Sequence, residues 1–392
     1  MHDYLLPFGP QHPALIEPVH IKLRVDGETI IGSELVLGYN HKGIEKSFEG
    51  RWWAKGVYLS ERVCGICGAY HTSCYCQGIE SLMGLEIPDR AKYIRVVVSE
   101  LERIHSHMLA LGVLAWEIGM DTLFHYMFRD RELVMDLQEL LTGNRVHFAI
   151  NVIGGARRDI DLEQGKKIEG NMEKIEDRLH HYIRLFRNDA SLKNRIKHVG
   201  YLSKQKAKEL NPVGPNVRAS GIDYDVRETG YVAYRDLTFK VVTGEGGDVL
   251  ERCIVRLKEC LESVRMIKEA ILTIPKGEIA LKVPPVIKIK EGMETVSRVE
   301  APRGELIYYL KSAGDKPYRV KIRTPTYQTF HILDEIIRGC GIPDVPAILA
   351  SIDPCFACCE RMTVVDANTR KEKVLTKHDI LHMKEDRGGG HD

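Results

Sequence analysis

Two pairs of cysteines, each with two residues between its members, are the part of the sequence best suited to chemistry. The first pair, Cys64 and Cys67, lies in the segment "ERVCGICGAYH", and the second, Cys355 and Cys358, lies in "DPCFACCER". A spacing of two residues lets both sulfur atoms lie on one side of a turn and bind the same metal ion. Together the two pairs predict a metal site with four thiolate ligands.

Structural zinc is one interpretation of this pattern, because it commonly occupies four-cysteine sites. Against it, the two pairs lie at opposite ends of a 392-residue chain, which is long enough to bury a large core without a metal link. Thiolates also suit nickel and iron, and an electron-rich, open centre of that kind could act on dihydrogen while a thiolate or carboxylate takes the proton. The residues that flank the pairs are ionisable, as such chemistry requires: Glu61, Arg62, His71, Asp353, Glu360 and Arg361.

The other cysteines give weaker signals. We expect Cys253, Cys260 and Cys340 to be small core residues, since free cysteine is among the most buried residue types. A helix that continues from Cys67 would turn Cys74 and Cys76 away from the metal. Cys359 adjoins Cys358 and could compete with it as a ligand, but the spacing from Cys355 favours Cys358.

The amino-acid composition limits the classes of binding partner and the cellular compartment that we expect for this chain. A formal net charge of +1 with 28% charged residues argues against a nucleic-acid partner and against a polybasic membrane anchor. The opening "MHDYLLPFGPQHP" lacks the pattern of a signal peptide, and no apolar run reaches the ~18 residues of a membrane span. We therefore expect a cytoplasmic chain whose ten cysteines serve metal or redox chemistry, and whose membrane link comes through partner subunits.

The elements that must position the cysteines begin with a small N-terminal sheet. Apolar and polar residues alternate over residues 19–25, Asp26-Gly27 is a hairpin turn signal, and "ETIIGSELVL" returns as a second strand. Long amphipathic helices are predicted next, one capped by Asp89 and another opened by a capping box of Asp248 and Glu251. Their apolar stripes run through Ile94, Val97, Leu101, Ile104, Met108, Leu111 and Ala115, through Ile168, Met172, Ile175, Leu179 and Tyr182, and through Leu250, Ile254, Leu257, Leu261 and Val264.

The proline- and valine-rich residues 275–330 predict loops and short strands. The whole pattern indicates a helix-dominant α+β fold, a long-helix bundle with β elements near both ends. We divide it into a β-rich segment (1–50), a helical bundle that carries the metal site (51–361) and a C-terminal tail (362–392).

Both cysteine segments resemble the motifs of the large, catalytic subunit of nickel–iron hydrogenases. The segments "FGPQHPALIEPVHIKLRVDGE", "GYNHKGIEK", "TGNRVHFAINVIGGARRDI" and "EAPRGE" also resemble the quinone-reducing subunit of respiratory complex I. This combination, over nearly the whole chain, is typical of the energy-converting, membrane-associated hydrogenases linked to ferredoxin, carbon monoxide or formate. The complex I subunit lacks the four cysteines, so a hydrogenase is favoured. The alternative is an electron-transfer subunit that reduces quinone or sulfur on the same scaffold.

The resemblance implies a role for each cysteine of the two pairs. Cys64 and Cys355 correspond to the terminal ligands of nickel, whereas Cys67 and Cys358 correspond to thiolates that bridge nickel to an iron carrying carbon monoxide and cyanide. Glu17 corresponds to the carboxylate that relays protons from the terminal thiolate, although the residue alone would be an ordinary strand-entry glutamate.

Further positions around the metals follow from the same resemblance. Arg303 corresponds to the guanidinium above the metal pair, with Asp353 able to orient it. His71 corresponds to a hydrogen-bond donor to a bridging thiolate. The last two matches are Pro325-Thr326, which resembles the segment that lines the cyanide pocket, and Glu45, which resembles the glutamate of a magnesium site whose C-terminal histidine is replaced here by Arg361.

The implied reaction is heterolytic cleavage of dihydrogen, in which the Cys355 thiolate takes the proton and Glu17 passes it outward. The chain has too few unassigned cysteines for an iron–sulfur relay, so a small subunit with a [4Fe–4S] cluster is implied. The resemblance adds integral membrane subunits that move protons or sodium ions, a ferredoxin-like electron donor and nickel-insertion factors. It also implies a maturation endopeptidase that cuts between Arg361 and Met362, although some members of this branch keep their tail.

Overall fold

The computed structural model describes residues 3–359, 364–365 and 372–373, and it confirms the helix-dominant α+β fold. Four long helices, α4, α5, α6 and α10, form the body of the molecule, where α4 packs against α5 and α10, and α10 packs against α6. The α-helices are α1 (Ile44–Phe48), α2 (Trp53–Glu61), α3 (Gly68–Met83), α4 (Asp89–Glu117), α5 (Asp121–Thr142), α6 (Leu162–Asn188), α7 (Ala190–Ile196), α8 (Lys204–Leu210), α9 (Pro215–Arg218), α10 (Val249–Thr273), α11 (Pro325–Thr329), α12 (Leu333–Ile337) and α13 (Val345–Ile352).

Two three-stranded antiparallel sheets lie near the two ends of the chain, each with its strands in sequence order. The predicted N-terminal hairpin is confirmed as the second and third strands of the first sheet, joined at Gly27 with φ +61°. The strands are β1 (Asp3–Phe8), β2 (His20–Asp26), β3 (Thr29–Val36), β6 (Glu294–Ala301), β7 (Gly304–Ser312) and β8 (Pro317–Arg323), with two-residue pairs β4 (Asn151–Val152) and β5 (Gly155–Ala156), and β9 (Val364–Val365) and β10 (Glu372–Lys373).

The turn between β6 and β7 is tight, and it carries Arg303. Ala301 and Gly304 are paired across the two strands, so only Pro302 and Arg303 form the loop. Gly304 has φ +125°, and a Cβ atom there would lie 2.6 Å from the backbone nitrogen of Gly214. Only glycine allows this close approach, which fixes the loop, and therefore Arg303, against the start of α9.

The predicted helices are present, but one N-cap assignment was wrong. Pro88, not Asp89, is the N-cap of α4, because its extended backbone (φ −56°, ψ 142°) precedes the first helical residue. Asp89 is that first residue, and its carboxylate accepts a hydrogen bond from Lys92 Nζ at 2.7 Å. Of the predicted capping box at α10, the described residues show one half: the Asp248 side chain accepts a hydrogen bond from the backbone N–H of Glu251 at 2.8 Å.

The core consists of two apolar clusters, and the metal-site prediction falls in the second. The first cluster joins the buried face of the N-terminal sheet to the long helices. The second joins α2 and α3 to the sheet β6–β8 and contains Cys64, Cys67, Cys355 and Cys358. The predicted cleavage bond between Arg361 and Met362 lies outside the described residues. No helix in the described part of the chain is long and apolar enough to cross a membrane.

Candidate metal centre

Four cysteines from opposite ends of the chain meet in one buried cluster. The sulfur atoms of Cys64 and Cys355 lie 3.8 Å apart, and those of Cys355 and Cys358 lie 2.7 Å apart. The sulfur atoms of Cys64 and Cys67 are within 4.8 Å of each other. All four side chains are nearly inaccessible to solvent, and none forms a disulfide. The predicted pairing of the two distant motifs is therefore present in the fold.

Each pair is held by a short, sharply turned segment. Cys64 follows the end of α2, and its sulfur accepts the backbone N–H of Ile66 at 3.4 Å, while Cys67 is the N-cap of α3. Cys355 and Cys358 lie at a 3-10 turn, Phe356–Cys358, that follows α13. A turn at each pair brings its two sulfur atoms to one side, as the two-residue spacing predicted.

The electrostatics of the cluster favour a thiolate at Cys64. Hydrogen bonds from the thiols of Cys355, Cys358 and Cys67 hold the pKa of Cys64 well below its ordinary value. Burial raises the pKa of Cys358 well above that value, and the neighbouring thiols raise it further. A buried positive ion would reverse this and ionise the remaining thiols.

The donor set fits a soft metal. Two sets of candidate ligand atoms lie within 4.8 Å of one another. One set is Cys64, Cys355 and Cys358, and the other is Cys64, Cys67 and His71. Thiolate and imidazole donors suit nickel, iron, copper and zinc, and they do not suit calcium or magnesium, which require oxygen ligands. The four thiols are thus placed to hold a compact soft-metal centre.

Glu17 lies directly against this cluster. The Cys355 thiol donates a hydrogen bond to Glu17 Oε1 at 3.5 Å, and the backbone N–H of Ala357 donates to Oε2 at 2.9 Å. Burial raises the pKa of the Glu17 carboxyl, although the bond from Ala357 partly offsets this effect. A carboxyl group in this position can exchange a proton with the Cys355 sulfur.

Arg303 is fixed by three hydrogen bonds beside the cysteines. Its Nη2 donates to Asp353 Oδ1 at 2.7 Å, its Nε donates to the Asp353 carbonyl at 2.8 Å, and its Nη1 donates to Ser106 Oγ at 3.3 Å. Burial opposes the charge of Arg303, but Asp353 and the sulfur atoms of Cys355 and Cys64 raise its pKa well above the ordinary value. The guanidinium is therefore a permanent, oriented positive charge, and the structure brings Asp353 to it as expected.

His71 is fully buried between the first cysteine pair and β7. Its Nδ1 lies 2.8 Å from the hydroxyl of Tyr308. Burial lowers the pKa of His71 to about 4, so the ring is neutral near pH 7 and one nitrogen is a proton donor. Within the described residues Nε2 has no hydrogen-bond partner, which leaves it for a group bound at the cluster.

The remaining predicted site residues are Pro325, Thr326 and Glu45. The Thr326 hydroxyl accepts the backbone N–H of Cys355 at 3.0 Å, next to Pro325 at the start of α11, so Thr326 positions the second cysteine pair. The Glu45 carboxylate accepts hydrogen bonds from Lys321 Nζ at 3.0 Å and from the backbone N–H of Ile322 at 2.9 Å. It lies in α1, where protein donors satisfy both of its oxygens.

Glu102 and Ser106 were missed by the sequence analysis. The Glu102 carboxyl accepts the N–H groups of Ala69 and Tyr70 at 3.1 and 3.3 Å, at the first turn of α3 beside Cys67. Burial raises its pKa well above the ordinary value. The available signal was a glutamate and a serine within the apolar stripe region of α4, where buried polar residues need partners.

A largely apolar cavity of about 130 Å³ adjoins the cluster. Glu17, Arg303 and Cys355 form one part of its wall, and Glu117, at the end of α4, is a second carboxyl group that lines it. Burial raises the pKa of Glu117 to about 7. The cavity offers a small uncharged molecule a route to Cys355, with titratable groups at hand.

The other cysteines lie outside the cluster. Cys253 and Cys260 are buried on α10, in agreement with the core prediction. Cys74 contacts Ser297 Oγ at 3.5 Å on β6, and Cys76 is buried on α3. Cys359 has its sulfur 3.8 Å from the carbonyl oxygen of Cys355.

Comparisons with known proteins match two families to different parts of the chain. The family described as nickel-dependent hydrogenase matches residues 42–116. The family described as respiratory-chain NADH dehydrogenase, 49 Kd subunit, matches residues 117–293 and 282–361. The division places the first cysteine pair in the hydrogenase match and the second in the NADH dehydrogenase match.

Individual relatives likewise include both hydrogenases and NADH-quinone oxidoreductase subunits. A carbon monoxide-induced hydrogenase of Rhodospirillum rubrum is 39% identical over 92% of this chain and 100% of its own length. One subunit of the NADH-quinone oxidoreductase of Clostridium beijerinckii is 37% identical over 90% of this chain and 95% of its own. A chain in the structure of the membrane-bound sulfane sulfur reductase, an archaeal respiratory membrane complex, is 31% identical with a TM-score of 0.86, covering 92% of this chain and 98% of that one.

Proposed function

The chain belongs to the family of nickel-dependent hydrogenase large subunits and respiratory-chain NADH dehydrogenase 49 Kd subunits, and from this membership we propose that it is the catalytic subunit of an energy-converting nickel–iron hydrogenase. The reaction is the interconversion of dihydrogen with protons and electrons. It takes place in a membrane complex linked to ferredoxin, carbon monoxide or formate.

The observation that carries the proposal is the meeting of four free, buried thiols next to a buried carboxyl group. Cys64 and Cys355 lie 3.8 Å apart, although they come from opposite ends of the chain. Glu17 accepts a hydrogen bond from Cys355. An electron-transfer scaffold without a metal has no need of four such thiols, whereas a soft redox metal does.

Cys64, Cys67, Cys355 and Cys358 would hold nickel and an iron with carbon monoxide and cyanide ligands. When bound, this centre supplies the site at which dihydrogen is cleaved heterolytically. The protein holds the proton: the Cys355 sulfur receives it, and Glu17 Oε1 takes it across the existing hydrogen bond. Glu17 can then release it to the cavity, which it also lines.

Arg303 and His71 control the surroundings of the same thiols. The guanidinium of Arg303 places a fixed positive charge at the cavity wall, where it can hold a small polar ligand such as cyanide. The buried neutral ring of His71 offers a hydrogen bond to a thiolate of the first pair, which would lower the electron density on that sulfur. Apolar side chains around the cavity limit access of water.

The partners that we propose complete the electron and proton paths. Electrons must arrive one at a time, so a small subunit with a [4Fe–4S] cluster is expected to dock on this chain and accept them from a ferredoxin-like donor. Integral membrane subunits would hold the pair at the cytoplasmic face of the membrane. Nickel-insertion factors and a maturation endopeptidase belong to its assembly. A magnesium ion at Glu45 is not favoured, because Lys321 and the backbone N–H of Ile322 already donate to both oxygens of that carboxylate.

The test is metal analysis with infrared spectroscopy of the purified, mature complex. Nickel and iron at one each per chain, with carbonyl and cyanide stretching bands, support the proposal. One zinc per chain without a redox signal would instead indicate a structural zinc site.

A second candidate is a complex I-like subunit that reduces quinone or sulfur. It is favoured by the NADH dehydrogenase match over residues 117–361 and by the similarity to a chain of a sulfane sulfur reductase complex. The apolar cavity beside Cys355 would then be the substrate site. Reduction of quinone or polysulfide without hydrogen activity or carbonyl and cyanide bands would select this candidate.

A further inference from the structure

A second titratable cluster is buried in the core, next to the turn that carries Arg303, where Arg103 donates to the carbonyl oxygens of Glu300 and Ala301. It contains four carboxyl groups and three guanidinium groups, joined by ion pairs between 2.7 and 3.2 Å. Its members come from α4, α9, α10, β6 and the 3-10 turn Val226–Thr229 with the residue before it: Glu100, Arg103, Arg218, Asp225, Arg227, Glu259 and Glu300. Each is fully buried or nearly so.

The geometry points to a proton-binding site: we propose that this cluster binds one exchangeable proton and holds it on Glu300. Among the ion-paired members carboxylates outnumber guanidinium groups by one, and the next buried guanidinium, Arg256, interacts more strongly with Asp353 than with Glu259. The excess charge is costly in the core. The cluster therefore reaches neutrality by binding a proton. The remaining question is which carboxyl group holds it.

The negative charges of Glu100 and Asp225 are well compensated by hydrogen-bond donors. Glu100 accepts hydrogen bonds from Arg103 and Arg227, and also from the hydroxyl groups of Tyr234 and Ser263. Its pKa falls to about 2, because these partners outweigh the effect of burial. Both carboxylate oxygens of Asp225 accept hydrogen bonds from the Arg227 guanidinium, at 3.0 and 2.7 Å. Both groups are therefore ionised near pH 7.

Glu259 and Glu300 share Arg218, which donates through Nε to Glu259 and through Nη1 to Glu300, each at 2.8 Å. Glu259 has a further partner in His107 at 3.0 Å and also lies in the field of Arg103. Nη1 of Arg218 is additionally 3.2 Å from Asp225. Among the described residues, the charged hydrogen-bond partner of Glu300 is therefore Arg218 Nη1 alone, and Glu300 shares this nitrogen with Asp225.

The charges that face Glu300 from neighbouring elements oppose one another, and burial decides the balance. Arg103 on α4 and Arg218 on α9 favour its charged form, whereas Asp225 opposes it. The second oxygen of Glu300 accepts the backbone N–H of Val226, at 3.1 Å. Burial, followed by the charge of Asp225, raises the pKa of Glu300 to about 7, so the proton is exchangeable at neutral pH.

A route to solvent lies across the sheet. Glu300 on β6 is the direct antiparallel partner of Glu305 on β7, and side chains at such positions lie on the same face with Cβ atoms about 5 Å apart. The hydroxyl of Tyr224, whose side chain reaches the surface, donates to Glu305 Oε1 at 3.0 Å. Arg298 and Arg323 balance the charge of Glu305. A proton can thus pass between Glu300 and the surface through Glu305 and Tyr224.

The test is pH-difference infrared spectroscopy of the full-length chain between about pH 5 and about pH 9. A carboxylic-acid C=O band that disappears near neutral pH is expected from Glu117 and Glu300 together, and Glu300→Gln should remove the Glu300 part of it with one titrating proton per chain. Glu80→Gln is the matched control, because Glu80 is buried and paired with a single arginine, Arg95. A band that titrates unchanged in Glu300→Gln, or no such band in the natural chain, would overturn the proposal.

A second measurement avoids the risk that Glu300→Gln fails to fold. Carbon-13 labelling of glutamate in a chain that carries both Glu102→Gln and Glu117→Gln removes the other two glutamates whose pKa is raised far above the ordinary value. A glutamate band that still titrates near neutral pH supports the proposal, and its absence contradicts it. Glu305→Gln should leave that band in place and slow its appearance after a rapid pH jump. Both measurements are independent of bound metal, so they fail or succeed separately from the hydrogenase assignment.

Discussion

The thiol of Cys355 donates a hydrogen bond to Glu17 Oε1 at 3.5 Å, across a separation of 338 residues in the sequence. The same carboxylate accepts the backbone N–H of Ala357 at 2.9 Å. One side chain from the N-terminal segment thus contacts both a metal-site thiol and the turn that carries it. Under the proposed function, this contact is the path by which a proton leaves the cluster toward the cavity.

Glu17→Gln should separate proton movement from metal binding. Glutamine keeps the shape and still accepts the N–H of Ala357, so the nickel content should stay normal. Because the amide cannot carry a proton between Cys355 and the cavity, exchange between deuterium gas and water should fall about 100-fold or more. Glu34→Gln is the control, since Glu34 pairs with Lys22 near the surface. Unchanged exchange in Glu17→Gln would remove this role.

Replacement of a predicted terminal ligand should abolish the metal centre. Cys64→Ser or Cys355→Ser leaves a side chain of similar size, but a hydroxyl group is a poor ligand for soft metals. We expect loss of nickel and of all hydrogen activity, measured by metal analysis and gas consumption. Cys74→Ser is a matched control, because Cys74 is also buried but contacts Ser297. Full activity with normal nickel content in either ligand variant would contradict the assignment.

Arg303→Lys tests the fixed guanidinium. Lysine cannot reproduce the three directed hydrogen bonds to the Asp353 side chain, the Asp353 carbonyl and Ser106. Lysine keeps the positive charge but loses directed hydrogen bonds, each worth about 1.5 to 3 kcal/mol when a charged group takes part, so denaturant unfolding of the metal-free chain should show a loss of about 2 kcal/mol or more. Arg298→Lys, at the half-exposed pair with Glu305, should change the free energy of unfolding little. Equal effects of the two substitutions would argue against a special position for Arg303.

Glu117→Gln should stabilise the protein only at higher pH. Burial raises the pKa of Glu117 in the folded state to about 7, above its ordinary value of 4.5. Between these two values the folded state binds more protons than the unfolded state, so stability falls as the pH rises through this window. Since the side chain is partly solvated, solvent screening reduces the effect to about 1 kcal/mol. Thermal unfolding at about pH 8 and about pH 4 measures it, and a gain of equal size at both pH values would contradict the cause.

The tail prediction has a direct mass readout. If maturation cuts between Arg361 and Met362, the nickel-loaded chain should end at Arg361. Intact-mass spectrometry of the purified complex measures this, with the metal-free precursor as the control. A loaded chain that ends at Asp392 would show that the tail is kept.

The sequence predicted the parts of the molecule that local spacing determines. The N-terminal hairpin, the stripes of α4, α6 and α10 and the two cysteine pairs all follow from periodicity and turn residues. The N-cap at Asp89 failed because Pro88 already occupies that position with an extended backbone. Glu102 and Ser106 were missed because a polar residue on an amphipathic helix gives no sign of its partner, which here comes from α3 or from the β6–β7 turn.

The buried ion cluster could not be predicted from the sequence either. Arg218, Asp225, Glu259 and Glu300 are unremarkable in the sequence, because charged residues are usually exposed. Only the tertiary fold shows that they share one core with α4. Long-range pairing of this kind has no periodic signal along the chain.

The separation of the two cysteine pairs also sets an order of events during protein synthesis. Cys64 and Cys355 are 291 residues apart, and ribosomes add about 5 to 20 residues per second. The first pair is therefore made roughly 15 to 60 s before the second, with its thiols unable to meet their final partners. Assembly of the complete four-thiol cluster must wait for the end of translation, and until then the cell has to keep the first pair reduced and free of the wrong metal.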